Sequence, residues 1–352
     1  MGRKSVAVSA SSPLSGANRQ GDPEGVLPRP VSGRRAVLLS IAIIGGLFLL
    51  SLAYAFTGAW RQKERLLADG LAAPRAALWM EDEGVVVIDA GEPGRPGDIV
   101  WVSTGSSRQR LVPLPPTDPD DPIGGAVGLA LAGDGSLILA VSRCAAPGCM
   151  ALLGPDRSGS LAPLVDLRAG GAADPSAVIV DRGRGIAFVA DAGADRLWSV
   201  AIGTGRPIAG AMAVHSSFPA GAEPRGMAFD PGGALLVALA GRGEIARVEP
   251  TGASTSIVAR DLRRPIAVGV EPTGTFVILE SPRAQNAGVL KRLDEAGQTT
   301  ILSDGLDRPT SLSVAPDGRV FVTLRGIEAD VARVGQLVQI RRLGPIAPRR
   351  IV

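Results

Sequence analysis

A unit of a little under fifty residues recurs along this chain, and its period restricts the possible folds more than any other feature. Residues 263–280 read RRPIAVGVEPTGTFVILE, and residues 307–324 read DRPTSLSVAPDGRVFVTL. Each copy carries a proline, alternating apolar residues, a Pro/Gly turn and then a Val-rich run. The order returns at Pro74/Gly84, Pro175/Gly185, Pro224/Gly233, Pro265/Gly274 and Pro309/Gly318, with a looser copy, GAVGLALAGDGSLILAV, at 125–141. Successive turn glycines at 84, 135, 185, 233, 274 and 318 lie 51, 50, 48, 41 and 44 residues apart. From residue 72 onward the apolar runs are short, β-branched and bounded by Gly, Pro and Asp, which is the pattern of many short strands. A period of this size with four strands per unit is a propeller blade. The spacing therefore predicts an all-β fold, a six-bladed β-propeller.

The fifth unit divides into four strands: IAVGV innermost, then TFVILE, GVLKRLD and TTILSD, with EPTG as the hairpin turn whose Gly274 can take a positive φ. A circular sheet arrangement must hide the edges of its first and last blades. The stretch ERLLADGLAAP at 64–74 copies the end of a blade, as in TSIVARDLRRP at 255–265 and TTILSDGLDRP at 299–309. The last unit has little chain left after GQLVQIRR for an outer strand of its own. Residues near Arg65–Asp69 are therefore expected to pair beside 335–342 and close the ring, giving a propeller over 64–345 and a C-terminal tail over 346–352.

Upstream, residues 1–35 are rich in Ser, Gly, Pro and Arg without apolar periodicity and read as a disordered cytoplasmic tail. Residues 36–56, AVLLSIAIIGGLFLLSLAYAF, carry no charge, and a bilayer-spanning helix needs about 20 such residues. They read as a transmembrane signal-anchor helix, joined by a linker at 57–63 to a propeller on the extracytoplasmic side of the cytoplasmic membrane. The alternative is export with signal cleavage near Ala55, since Ala53-Tyr54-Ala55 is an A-x-A site and Arg34-Arg35 resembles a twin-arginine signal. The cysteines, Cys144 and Cys149 in CAAPGC, could close a disulfide in an oxidising compartment or remain a pair of thiols, and they lack two further ligands for zinc.

Composition bears on the core and on partners. Of the 352 residues 45% are apolar but only 3% aromatic, so Val, Leu, Ile and Ala must fill the interior. The net charge of +3 is dispersed, without the basic stripe interleaved with aromatics that nucleic-acid binding needs. Nucleic acid is excluded as a partner.

Two stretches carry a family resemblance. PSAVIVDRGRGIAFVADAGADRLWSV at 175–200 and GLDRPTSLSVAPDGRVFVT at 305–323 resemble NHL repeats, with a Pro, a D-x-x-G-like turn and a V-A-D run. Residues 64–345 as a whole resemble the NHL, SMP-30/gluconolactonase and strictosidine-synthase group of six-bladed propellers. That resemblance implies architecture more than chemistry, since the fold hosts binders, lactonases, lyases and scaffolds. Its gluconolactonase-like members hold a divalent metal, typically Ca²⁺, with Glu, Asn and Asp. Here the asparagines are Asn18 and Asn286, and Ala72 or Ala73 stands near the position of the family's first-blade Glu, so the set is incomplete.

Other chemistry is sparse. The lone histidine, His215 in AVHSSF, lies between blades three and four without an orienting partner in sequence, and no G-x-S-x-G elbow or phosphate loop is found. Asp118, Asp120 and Asp121 in TDPDDP lack the spacing of a calcium cage. What remains is a charged residue just past the second strand of each unit, alternating in sign: Asp89, Arg143, Asp191, Arg242, Glu280 and Arg325. These six could form a rim at the channel mouth that binds a polar ligand or peptide, or could cap their own loops and pair with neighbours. The leading expectation is a membrane-tethered binding or assembly module of the cell envelope, without a cofactor, that takes a protein or polar small-molecule partner. The alternative is a divergent hydrolase of the resembled group, with Asp89, Asp191 and Glu280 holding Ca²⁺ or another divalent cation on the axis.

Overall fold

A computed structural model describes residues 64–81, 83–91, 97–114, 125–142, 150–155, 160–205, 211–294, 297–326 and 334–340. Among the described residues twenty-four strands fall into six four-stranded antiparallel sheets arranged as propeller blades. Among the described residues no helix is long and apolar enough to cross a membrane. The expected tail, anchor and linker, the cysteine pair, Arg143, the TDPDDP run and the C-terminal tail all lie outside the described residues.

Blades one to five use four consecutive strands each. The sixth uses three, Pro309–Val314, Val320–Leu324 and Gly335–Ile340, and takes its outer strand from Glu64–Leu71. In that added pair Glu64 lies opposite Ile340, Arg65 opposite Gln339 and Leu66 opposite Val338. The closing strand supplies apolar side chains as well as backbone pairing: Leu67 and Leu71, 3% and 0% exposed, pack with Phe321 and Leu337 of blade six and Val85 and Val87 of blade one. The borrowed strand thus seals the seam between the first blade and the last.

Among the described residues six apolar clusters hold the ring, each built between two neighbouring blades. The second strands are covered on both faces and run apolar over most of their length, as in Leu235–Leu239 and Val85–Ile88, with buried Thr323 a polar exception in blade six. Small side chains let the inner strands approach one another. A Cβ at Gly128 would lie 2.7 Å from the Val178 backbone nitrogen, and one at Gly226 2.8 Å from the Ala267 Cα. At the seam, hydroxyls complete the fit: Ala77 and Trp79 donate backbone N–H bonds to Ser311 and Ser313 Oγ at 3.1 and 2.8 Å, while Thr310 donates to the Pro74 carbonyl at 2.7 Å.

Gly274 takes the expected positive φ, and Gly135, Gly185, Gly233 and Gly318 do the same. Blade one differs. There Glu83 takes the left-handed conformation at φ 60°, and Gly84 is required for another reason: an added Cβ would lie 2.0 Å from Trp101 Nε1 on the neighbouring strand.

Candidate functional site

The inner strands begin, and the second strands end, at one face of the ring. The pairings Pro74↔Asp89, Gly125↔Ser142, Pro175↔Asp191, Pro224↔Leu239, Pro265↔Glu280 and Pro309↔Leu324 place these residues at equivalent levels. This register places the residues expected to form a ring of alternating charge at different levels. Asp89, Asp191 and Glu280 are equivalent, but blades two, four and six present Ser142, Leu239 and Leu324 there. Arg242 and Arg325 stand three and one residues further on, in the turns; Arg143, next to Ser142, lies outside the described residues.

The three acidic residues share a local task. Asp89 accepts the backbone N–H groups of Ala72 and Ala73 at 3.0 and 2.7 Å. Asp191, fully buried, accepts from Ala173, Asp174, Gly193 and Ala194 and from the Trp198 indole at 2.9 Å. Glu280 Oε1 accepts the Arg263 N–H at 3.1 Å and the Lys291 ammonium at 2.6 Å, whereas its buried Oε2 has no hydrogen-bond partner among the described residues. Each carboxylate fixes the loop that leads into its own blade. Among the described residues no three His, Cys, Asp or Glu side chains gather as a metal-ligand set, so the structure does not bring Asp89, Asp191 and Glu280 together around a common centre.

The two described arginines of the expected ring are tied to carboxylates nearby. Arg242 Nε donates to Glu244 at 3.0 Å, and Arg325 Nε to Asp307 at 2.7 Å. Burial tends to raise the Asp307 pKa, but the Arg325 hydrogen bond and the charges of Arg308 and Arg325 outweigh it and hold this carboxyl below its ordinary value. His215 stands on the outer strand of blade three, Met212–Ser217, edge-on to Phe188 with ring centres 4.7 Å apart. Burial, reinforced by the Arg184 charge, pushes its pKa below 6.5.

A channel of about 650 Å³ runs along the axis, lined by the inner strands of all six blades. At the face where those strands begin, it adjoins a recess of about 460 Å³ that shares Asp174, Arg225 and Arg264 with it and adds Glu223 and Arg283. Arg75, 9% exposed, lines the channel one residue inside the same mouth. Position along the chain explains the gathering. Glu223-Pro224-Arg225 and Arg264-Pro265 each flank the proline that opens a blade, and Arg75 follows Pro74. Glu223 and Arg264 both take left-handed φ values, 49° and 55°. Asp195 holds the first of these loops by accepting from Gly221 and Glu223 N–H at 2.8 Å each.

Sequence reasoning used these prolines as blade markers and passed over their charged neighbours. The available signal was the charge beside each of the five prolines. What hid it was that such charge is ordinary in exposed loops, and only ring closure aims it at one point.

The cations in the recess are loosely compensated. Glu223 Oε2 lies 3.7 Å from Arg225 and 4.0 Å from Arg264. Arg225 Nε is buried without a hydrogen-bond partner among the described residues. Burial lowers the Arg264 pKa from its ordinary value, with the Arg225 and Arg283 charges adding to that effect and Glu223 opposing it. Such a mouth can orient an anion through guanidinium forks.

No protein-family model and no curated protein matches this chain. Solved structures do match in shape. A gluconolactonase from Xanthomonas campestris superposes with a TM-score of 0.56 at 17% identity, covering 78% of this chain and 89% of that one. A calcium-binding protein, regucalcin, from Agrobacterium tumefaciens gives 0.55 at 14%, covering 80% and 96%. The virginiamycin B lyase of Staphylococcus aureus gives 0.53 at 12%, covering 78% and 97%. At these identities the likeness is one of fold.

Proposed function

We propose that this propeller is a binding module of the cell envelope, tethered through residues 36–56, which holds a ligand or a partner protein at the mouth of its axial channel. The observation that carries this reading is the contrast between the two kinds of charge on that face. The carboxylates at the equivalent strand ends are engaged with loop amides, whereas guanidinium groups surround an open recess continuous with the channel. A face built this way is suited to recognition, because binding sites tend to lie where loops converge on a rigid scaffold.

The neighbouring folds named above include a gluconolactonase and a lyase, and a lactonase-like hydrolysis assisted by a divalent cation is the reaction this reading competes with. The test is direct. Full-length protein, assayed with gluconolactone and a panel of aryl esters in the presence of Ca²⁺, Mg²⁺ or Zn²⁺, is expected to give no turnover above buffer. Robust metal-dependent hydrolysis, lost in Asp191→Asn or Glu280→Gln protein that remains folded, would overturn the binding-module reading.

A further inference from the structure

We infer that the recess formed by Arg225, Arg264 and Arg283 is an oxyanion site, in which the Glu223 carboxylate serves as an internal occupant that a ligand's carboxylate or phosphate head displaces. This rests on reading the channel mouth as the ligand site and names the chemistry of what binds there.

Three observations point to an anion. First, the recess brings together three arginines from two adjacent blades against two acids, Glu223 and Asp174. One of those acids is committed elsewhere in part: Asp174 Oδ1 accepts the Ser142 hydroxyl of blade two at 2.8 Å. Second, the remaining acid compensates poorly. Charge-assisted bonds between guanidinium and carboxylate close to about 2.7–2.9 Å. Glu223 stands 3.7 and 4.0 Å from its two arginines and serves neither closely. Third, Arg225 presents a buried Nε with no hydrogen-bond partner among the described residues, and a buried donor left unpaired is unfavourable. A free oxyanion can approach both forks at once, which a glutamate held by its own backbone cannot. The Glu223 backbone is held by Asp195, which accepts its N–H at 2.8 Å, and sits at φ 49° directly before Pro224, so a closer approach of its carboxylate is left to side-chain rotation alone.

The channel behind the recess suggests how the rest of the ligand is accommodated. Beyond Arg225 and Arg264 the lining passes to Met227, Ile266, Ala267 and Val268. An anion bearing an apolar tail would therefore place its head among the arginines and its tail along the axis.

Inorganic phosphate and octanoate are the probes, titrated by calorimetry into the full-length protein at low ionic strength. At least one is expected to bind with one-to-one stoichiometry. Arg225→Ala and Arg264→Ala should each weaken it about tenfold or more, as expected for loss of a charge-assisted bond. Glu223→Gln should tighten it severalfold, and because a misfolded variant does not gain affinity, this arm separates the proposal from simple damage. Octanoate binding much more tightly than phosphate would assign the head to a carboxylate with the tail in the channel; the reverse preference would assign it to a phosphate. Binding of neither probe, or binding indifferent to Glu223→Gln and Arg264→Ala, overturns the oxyanion assignment. A cationic or neutral ligand later found at this mouth would leave the binding-module reading standing without it, whereas lactone turnover would overturn that reading alone.

Discussion

At the scale of single residues, the chain uses the same carboxylate chemistry repeatedly for local order. Asp191 accepts five donors while fully buried, and Asp89 accepts two in a more open setting. Such side chains replace the backbone partners that an interblade loop lacks. His215 shows the opposite arrangement, a titratable group held without compensation: its Nε2 is buried and has no hydrogen-bond partner among the described residues. Its folded-state pKa lies below the ordinary 6.5, so the unfolded chain binds the extra proton first as pH falls. The contribution is fully present above about 6.5 and is lost as pH drops through the folded-state value. Because this is the chain's single histidine, NMR titration of its ring protons should report a midpoint below 6.5, and His215→Phe should flatten the stability profile across that window. A midpoint above 6.5 would contradict a neutral ring with a buried Nε2.

At the scale of elements, the repeated hairpin was legible in its periodicity, and the second-strand runs were legible because a strand covered on both faces has no polar side to interrupt it. Blade one shows what periodicity leaves out. Gly84 occupies the turn position of the repeat, yet it is needed for the indole of Trp101, a residue seventeen positions away on the third strand. Gly84→Ala should therefore destabilise through overpacking, by about 2–3 kcal/mol. Gly135→Ala, whose added methyl meets nothing within 4 Å, should lose only about 1 kcal/mol from its left-handed backbone. Urea unfolding of Gly84→Ala, Trp101→Leu and the double variant provides the check. If the double variant is not more stable than the sum of the singles implies, the indole contact is not the cause.

At the scale of the whole molecule, the ring depends on one strand drawn from the far end of the chain. Deleting residues 1–71 would leave Gly335–Ile340 as an unpaired edge and uncover Phe321 and Leu337, which Leu67 and Leu71 now bury. The two leucines alone contribute about 3–6 kcal/mol, a large share of the 5–15 kcal/mol by which ordinary domains are stable. The truncated chain is expected to associate or to unfold at markedly lower temperature; a monomer by size-exclusion chromatography with an unchanged Tm would show that the closure is dispensable.

From the sequence alone came the six-bladed all-β ring and the strand that closes it, because turn glycines, prolines and apolar runs act within a few residues of themselves and repeat. The levels of the expected rim residues were not legible in the sequence because side-chain level is set by strand pairing: Pro224 lies opposite Leu239 and Pro309 opposite Leu324, so Arg242 and Arg325 fall in turns. The arginine-lined mouth was closed to sequence reading for a related reason. Arg75, Arg225, Arg264 and Arg283 are scattered over some two hundred positions, and their shared direction follows only from the angle through which each blade is rotated about the axis. Periodicity determined the blades; only closure of the ring decided which charges meet at its centre.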